Sequence, residues 1–140
     1  MTFTERYTWA GLAISLATFV GYWSVVVARA VTDGLPLVDV AWRGPMLWSL
    51  VLGGGLYAVV MPALWLRGRG EALTDVRDQE IERYAETAGA RIVGLAVPAA
   101  LVVLALDVPP FWTATVLFTG SFLGALTSTG VALVAYRRGL

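Results

Sequence analysis

The chain has 140 residues, enough for one domain, with ten basic and ten acidic residues and a net charge of zero. Hydrophobic residues make up 58% and charged residues 14%. Soluble domains run nearer about a quarter charged, so most of this surface is expected to face something other than water. The balanced charge leaves no global field to attract nucleic acid, and the lack of cysteine and histidine removes disulfides, thiolate metal sites, a thiol nucleophile and the commonest general base.

The first predicted element is the uncharged run 7–28 between Arg6 and Arg29. A helix needs about 20 residues to cross about 30 Å of hydrocarbon, and this run supplies them. The region Met1–Arg6 is not clearly basic and the apolar run exceeds the roughly 7–15 residues of a signal peptide, so an uncleaved helix over about 7–29 is expected. The second run, 44–66 between Arg43 and Arg67, predicts a span over about 45–66. Gly53, Gly54 and Gly55 interrupt it, and Pro62 sits near its end.

The segment Thr74–Ala88 differs in character. Thr74 or Asp75 suits a helix start, and Asp75, Asp78, Glu80 and Glu82 cluster in the first turns, where the helix dipole favours acids. Val76, Ile81, Tyr84, Ala85 and Ala88 recur at roughly helical spacing, and Glu80 and Arg83 are placed to pair. An amphipathic cytoplasmic helix over about 75–88 is expected, continuous with a third span over 88–106 in which Arg91 snorkels toward the headgroups. About 20 Å of that rod is expected to stand in the cytoplasm at roughly 1.5 Å per residue. Pro98 removes one backbone hydrogen bond within the third span. Pro109 and Pro110 trim the start of the fourth to about Phe111, giving 111–136.

Arginine placement gives an orientation. Arg6, Arg67, Arg69, Arg77, Arg83, Arg91, Arg137 and Arg138 share one side of a four-span chain, and Arg29 and Arg43 the other. Eight against two places both termini and the middle loop in the cytoplasm. Trp9, Trp65 and Tyr136 then mark the inner interface, and Trp42, Trp48 and Trp112 the outer one. The expected fold class is therefore all-α: an integral membrane four-helix bundle of the bacterial plasma membrane, with both ends inside. Glu5-Arg6-Tyr7 and Glu82-Arg83-Tyr84 precede the first and third spans, and the second and fourth both end in Arg-Gly, so two tandem helical hairpins from a duplication are one reading of the chain.

Small residues suggest where helices approach. Gly53 and Gly54 in the second span, and Gly120, Gly124 and Ser128 in the fourth, are expected to pack against another helix; a homodimer face is the alternative. No acid or base lies near the middle of any span, which counts against an ion-coupled transporter. Arg29, Asp33, Asp39, Arg43 and Asp107 gather near the outer tryptophans, where anchoring and local salt bridges explain them as well as a ligand pocket does. No catalytic set, metal motif or phosphate loop is present, and no cofactor is expected.

Several motifs fit a known pattern. The stretch Asp75-Val76-Arg77-Asp78-Gln79-Glu80-Ile81-Glu82-Arg83 follows an acid-x-Arg-Asp-x-x-Ile element, with Phe111-Trp112 and Ala135-Tyr136-Arg137-Arg138-Gly139 at matching distances. Glu5-Arg6 before Trp9, and Arg43 to Trp48, fit as well. Over most of its length the chain resembles an uncharacterised family of four-helix membrane proteins common in actinobacteria, departing from it at Val76, where an acid is expected. The second half also resembles small membrane proteins encoded beside helix-turn-helix regulators, some of which are thought to restrain them.

The resulting expectation is a non-enzymatic membrane protein that acts by interaction. It would hold a cytoplasmic regulator or another membrane subunit through Asp75, Arg77, Asp78, Glu80 and Arg83. A small oligomeric transporter or channel subunit is the alternative.

Overall fold

The computed structural model describes residues 3–68 and 76–138. They form four helices: α1 (Phe3–Asp33), α2 (Arg43–Gly68), α3 (Val76–Ala105) and α4 (Pro110–Arg138). Each contains a stretch long and apolar enough to cross a membrane: Thr8–Asp33, Arg43–Leu64, Gln79–Ala105 and Pro110–Arg137.

Local chemistry ends the helices where the chain must reverse. Gly34 adopts φ +63°, and the Leu35 amide donates to the Ala30 carbonyl at 3.1 Å, a left-handed cap that satisfies an end carbonyl of α1. At the far end of α3, Asp107 takes φ 54°, a conformation that a short polar side chain tolerates better than most. Pro110 then opens α4, where its fixed φ suits a first helical position and its missing N–H is no loss.

The helices form an open row. α3 lies along α4, α4 along α1, and α1 along α2; among the described residues no other pair makes a close backbone approach. Two hairpins, α1–α2 and α3–α4, thus join through α1 and α4 alone. Among the described residues α2 and α3 make no close backbone approach, so the row is open on that side.

Two packed regions hold the row. An aromatic cluster near the α1–α2 and α3–α4 turns buries Tyr22, Val26, Met46, Phe111 and Phe118. Tyr22 and Phe118 have ring centroids 4.5 Å apart, and Phe118 and Phe122 4.7 Å, spacings at which aromatic pairs attract beyond simple burial. A second cluster, at the other end, packs Ile81 and Ala85 of α3 against Ala132 of α4, with Val131, Ala135 and Tyr136 around them. The early turns of α3 are continuous with the rest of that helix and pack on α4. α4 runs beside them as far as Arg138, because Ile81 and Ala85 form an apolar stripe that α4 covers. Tyr84, grouped with that stripe in the sequence, is 70% exposed on another face.

Candidate functional site: the cleft between α2 and α3

Because α2 and α3 make no close backbone approach, a cleft opens between them with α1 and α4 as its floor. Its inner part has a volume of about 360 Å³ and draws on all four helices: Thr8 and Ser15 from α1, Tyr57 and Met61 from α2, Glu82 and Glu86 from α3, Ser128 and Thr129 from α4. It continues along α2 as a more apolar space of about 320 Å³ reaching Ile14, Thr18, Gly53 and Phe122; Ser15, Tyr57 and Ala125 line both parts. The cleft is thus polar at the end that holds the chain termini and apolar deeper in.

The carboxylates reach it through helix periodicity. Glu82 and Glu86 are four residues apart and share a face, one step round α3 from Ile81 and Ala85, which pack on α4. On the opposite wall the described residues of α2 bury only Met46 and Met61. A glycine at position 53 brings the α1 and α2 backbones together: a Cβ there would stand 2.8 Å from both Oγ1 and Cγ2 of Thr18. Thr18 is itself fixed by a 2.7 Å hydrogen bond to the Ile14 carbonyl. Gly54 and Gly55 behave otherwise. A Cβ on either would meet nothing within 4 Å, so the close approach belongs to Gly53 and not to Gly54.

The α3–α4 seam contains the other predicted small residues. A Cβ on Gly124 would stand 2.6 Å from Val93 Cγ2 and 2.9 Å from the Gly89 carbonyl oxygen. Gly120 lies against Ala96, and Ser128 lies opposite Gly89. The sequence pattern on α4 pointed to these positions, whereas their partners on α3, Gly89 and Ala96, carry no comparable pattern.

The docking residues expected from the sequence are divided. Asp75 lies outside the described residues, as do the side chains of Arg77 and Asp78 on the first turn of α3. Glu80 and Arg83 are exposed, and no ion pair joins them. Arg83 lies on a different face from Glu82 and Glu86: it lines a notch of about 190 Å³ with Tyr84, Thr87, Ala88 and Arg91. The acidic wall of the cleft and the arginine face of α3 are separate surfaces.

At the other end of the row, the expected outer charges are occupied locally. The Arg29 guanidinium donates to the Ala41 carbonyl at 2.8 Å, tying the end of α1 to the turn before α2. Arg43 stands over the Trp42 ring at 5.6 Å, and Trp42 meets Phe111 edge-on. These contacts favour anchoring over a ligand pocket. Arg137 similarly stands 5.9 Å from the Trp9 ring, joining the ends of α4 and α1. Among the described residues no group of three or more acidic side chains is placed to hold a metal ion.

Fold and cleft together define an all-helical protein with four helices suited to spanning a membrane. No protein-family model matches the chain, and neither a curated protein nor a solved structure shows significant similarity to it.

Proposed function

We propose that this is a multi-pass protein of the bacterial plasma membrane, with both termini and the α2–α3 connection in the cytoplasm, and that it acts by holding a partner's helix between α2 and α3. The observation that carries this reading is the missing fourth interface. Among the described residues α2 makes a close backbone approach to α1 alone, and a cleft opens between it and α3 at the end that holds the chain termini, continuing along α2 over α1 and α4. In lipid, helices associate through close packing and polar contacts, and the cleft offers both: Gly54 with nothing against it, then Tyr57, Glu82 and Glu86. Arginine asymmetry supports the orientation. A membrane helix commonly carries Arg or Lys at its cytoplasmic end, where it would meet Glu82 and Glu86 with opposite charge. The partner is then another membrane subunit or the anchor of a cytoplasmic regulator. Arg83 faces away from the cleft.

A photo-crosslinking residue placed singly at Tyr57, Glu86 and Leu104 tests this in the native host. Positions 57 and 86 should give a discrete protein adduct, and position 104, on an exposed apolar face, should not. Combining Glu82→Arg with Glu86→Arg should weaken the adduct at 57. Identical products at all three positions, or lipid adducts only, would exclude the holding role.

One observation favours a small oligomeric transporter instead: the inner cleft takes polar groups from all four helices, with two carboxylates among them. Uptake of a cationic solute by reconstituted vesicles, lost in Glu86→Gln, would select that reading.

A further inference from the structure

Two arginines on α3 stand apart from the other arginines whose side chains are described. Arg29 bonds to a backbone carbonyl, and Arg43 and Arg137 lie over tryptophan rings. Arg83 and Arg91 are exposed, and among the described residues no carboxylate lies within ion-pair distance of either. They line one notch of about 190 Å³ together with Tyr84, Thr87 and Ala88. The Thr87 hydroxyl donates its proton to the Arg83 carbonyl at 2.7 Å, so the two guanidinium groups are the charged donors of the notch. Glu80 lies a turn further out and does not line the notch.

Depth decides what the notch meets. Along α3, Arg91 lies about 21 Å and Arg83 about 33 Å from Ala105, at roughly 1.5 Å per residue. A hydrocarbon layer of about 30 Å with its outer face at the α3–α4 turn has its inner face between the two. Arg91 therefore starts within the apolar layer and must extend outward to keep its charge solvated. Arg83 starts just beyond it. Both guanidinium groups converge on the plane of the inner headgroups, and the exposed phenol of Tyr84 sits at that plane too.

We propose that this notch binds the phosphate of an anionic phospholipid in the cytoplasmic leaflet, with Arg83 and Arg91 as its two charged donors. A guanidinium presents paired N–H groups to phosphate oxygens, and two of them on one helix face fit a headgroup with no positive charge of its own. The inference rests on the membrane orientation proposed above, and the face is distinct from the acidic cleft.

The test uses the full chain released from detergent in native mass spectrometry. It is titrated separately with phosphatidylglycerol, phosphatidylcholine and inorganic phosphate. The wild type should bind one phosphatidylglycerol well ahead of the other two. Arg83→Gln or Arg91→Gln should weaken that binding about fivefold, and the pair about thirtyfold. Arg91→Lys should fall between, retaining charge but not the paired donors. Arg43→Gln, at the opposite end, should change nothing. Unchanged helical circular dichroism in each variant separates lost binding from lost fold. Equal binding of the two lipids, or selectivity that survives the double variant, overturns the proposal. Preference for inorganic phosphate replaces it with a soluble anion, and loss of a dimer without loss of lipid replaces it with a protein contact. Alkaline extraction of reconstituted vesicles reports the underlying orientation separately: a chain that washes off fails the membrane reading itself, whereas a chain that stays but shows no lipid preference fails only the notch.

Discussion

Gly89 of α3 and Gly124 of α4 face each other so closely that neither position has room for a side chain. A Cβ on Gly89 would stand 2.6 Å from the Gly124 carbonyl oxygen, and one on Gly124 would stand 2.9 Å from the Gly89 carbonyl oxygen. The obstacle in each case is backbone, which cannot move aside as a flexible side chain would. In a bilayer, where the lipid tails are as apolar as the helices, such backbone approach is a main source of helix affinity.

Gly89→Ala and Gly124→Leu should therefore separate α3 from α4, lowering stability in detergent by roughly 1–3 kcal/mol. Gly54→Ala should not, because a Cβ there meets nothing. Thermal unfolding of the three variants side by side checks the contrast. Equal transitions for Gly89→Ala and Gly54→Ala would refute it.

Phe111→Ala should cost about 3 kcal/mol, at the lower end for a buried ring because lipid supplies less transfer energy than water. Phe111 is 1% exposed and contacts both Trp42 and Trp112. Trp48→Ala, removing a larger side chain that is 65% exposed, should change the unfolding midpoint little.

The α3–α4 turn should tolerate Asp107→Gly and resist Asp107→Val. Its φ of 54° is accessible to glycine without strain, whereas a side chain that disfavours this region costs about 1–2 kcal/mol there. Comparing unfolding midpoints of the two variants reads the difference directly.

Thr119→Val should leave stability unchanged or raise it. Four hydroxyls on these helices return to the carbonyl four residues back, those of Thr18, Thr87, Ser121 and Thr129. Those of Thr113 and Thr119 are buried without a hydrogen-bond partner. Exchanging such a hydroxyl for a methyl of the same shape removes an unmet need of up to about 1 kcal/mol. Denaturation in detergent would show the sign.

Orientation has its own check in this cysteine-free chain. Single cysteines at Gly70 and Val108 should react differently with an impermeant thiol reagent in intact cells, 108 labelled and 70 protected. Labelling at 70 would reverse the proposed topology.

The four helices and the start of α4 were legible in the chain alone. Uncharged runs of spanning length and the Pro109-Pro110 break are local properties, and a helix in an apolar setting satisfies its own backbone wherever it lies. The end of α1 was not legible: the helix runs past the expected 29 to Asp33 and turns at Gly34. The sequence also marked α4 as a close-packing helix through Gly120, Gly124 and Ser128. Only the tertiary structure decided the order of the row, the gap between α2 and α3, and the partners Gly89 and Ala96. The reason is physical: when both lipid and neighbouring helix are apolar, hydrophobic periodicity no longer distinguishes a packed face from an exposed one, so Gly53 against Thr18 and Gly54 against nothing look alike in the chain. The same applies to Glu82 and Arg83. They are adjacent and equally charged in magnitude, but the rotation of α3 fixed by Ile81 and Ala85 sends one to the cleft and the other to the opposite notch.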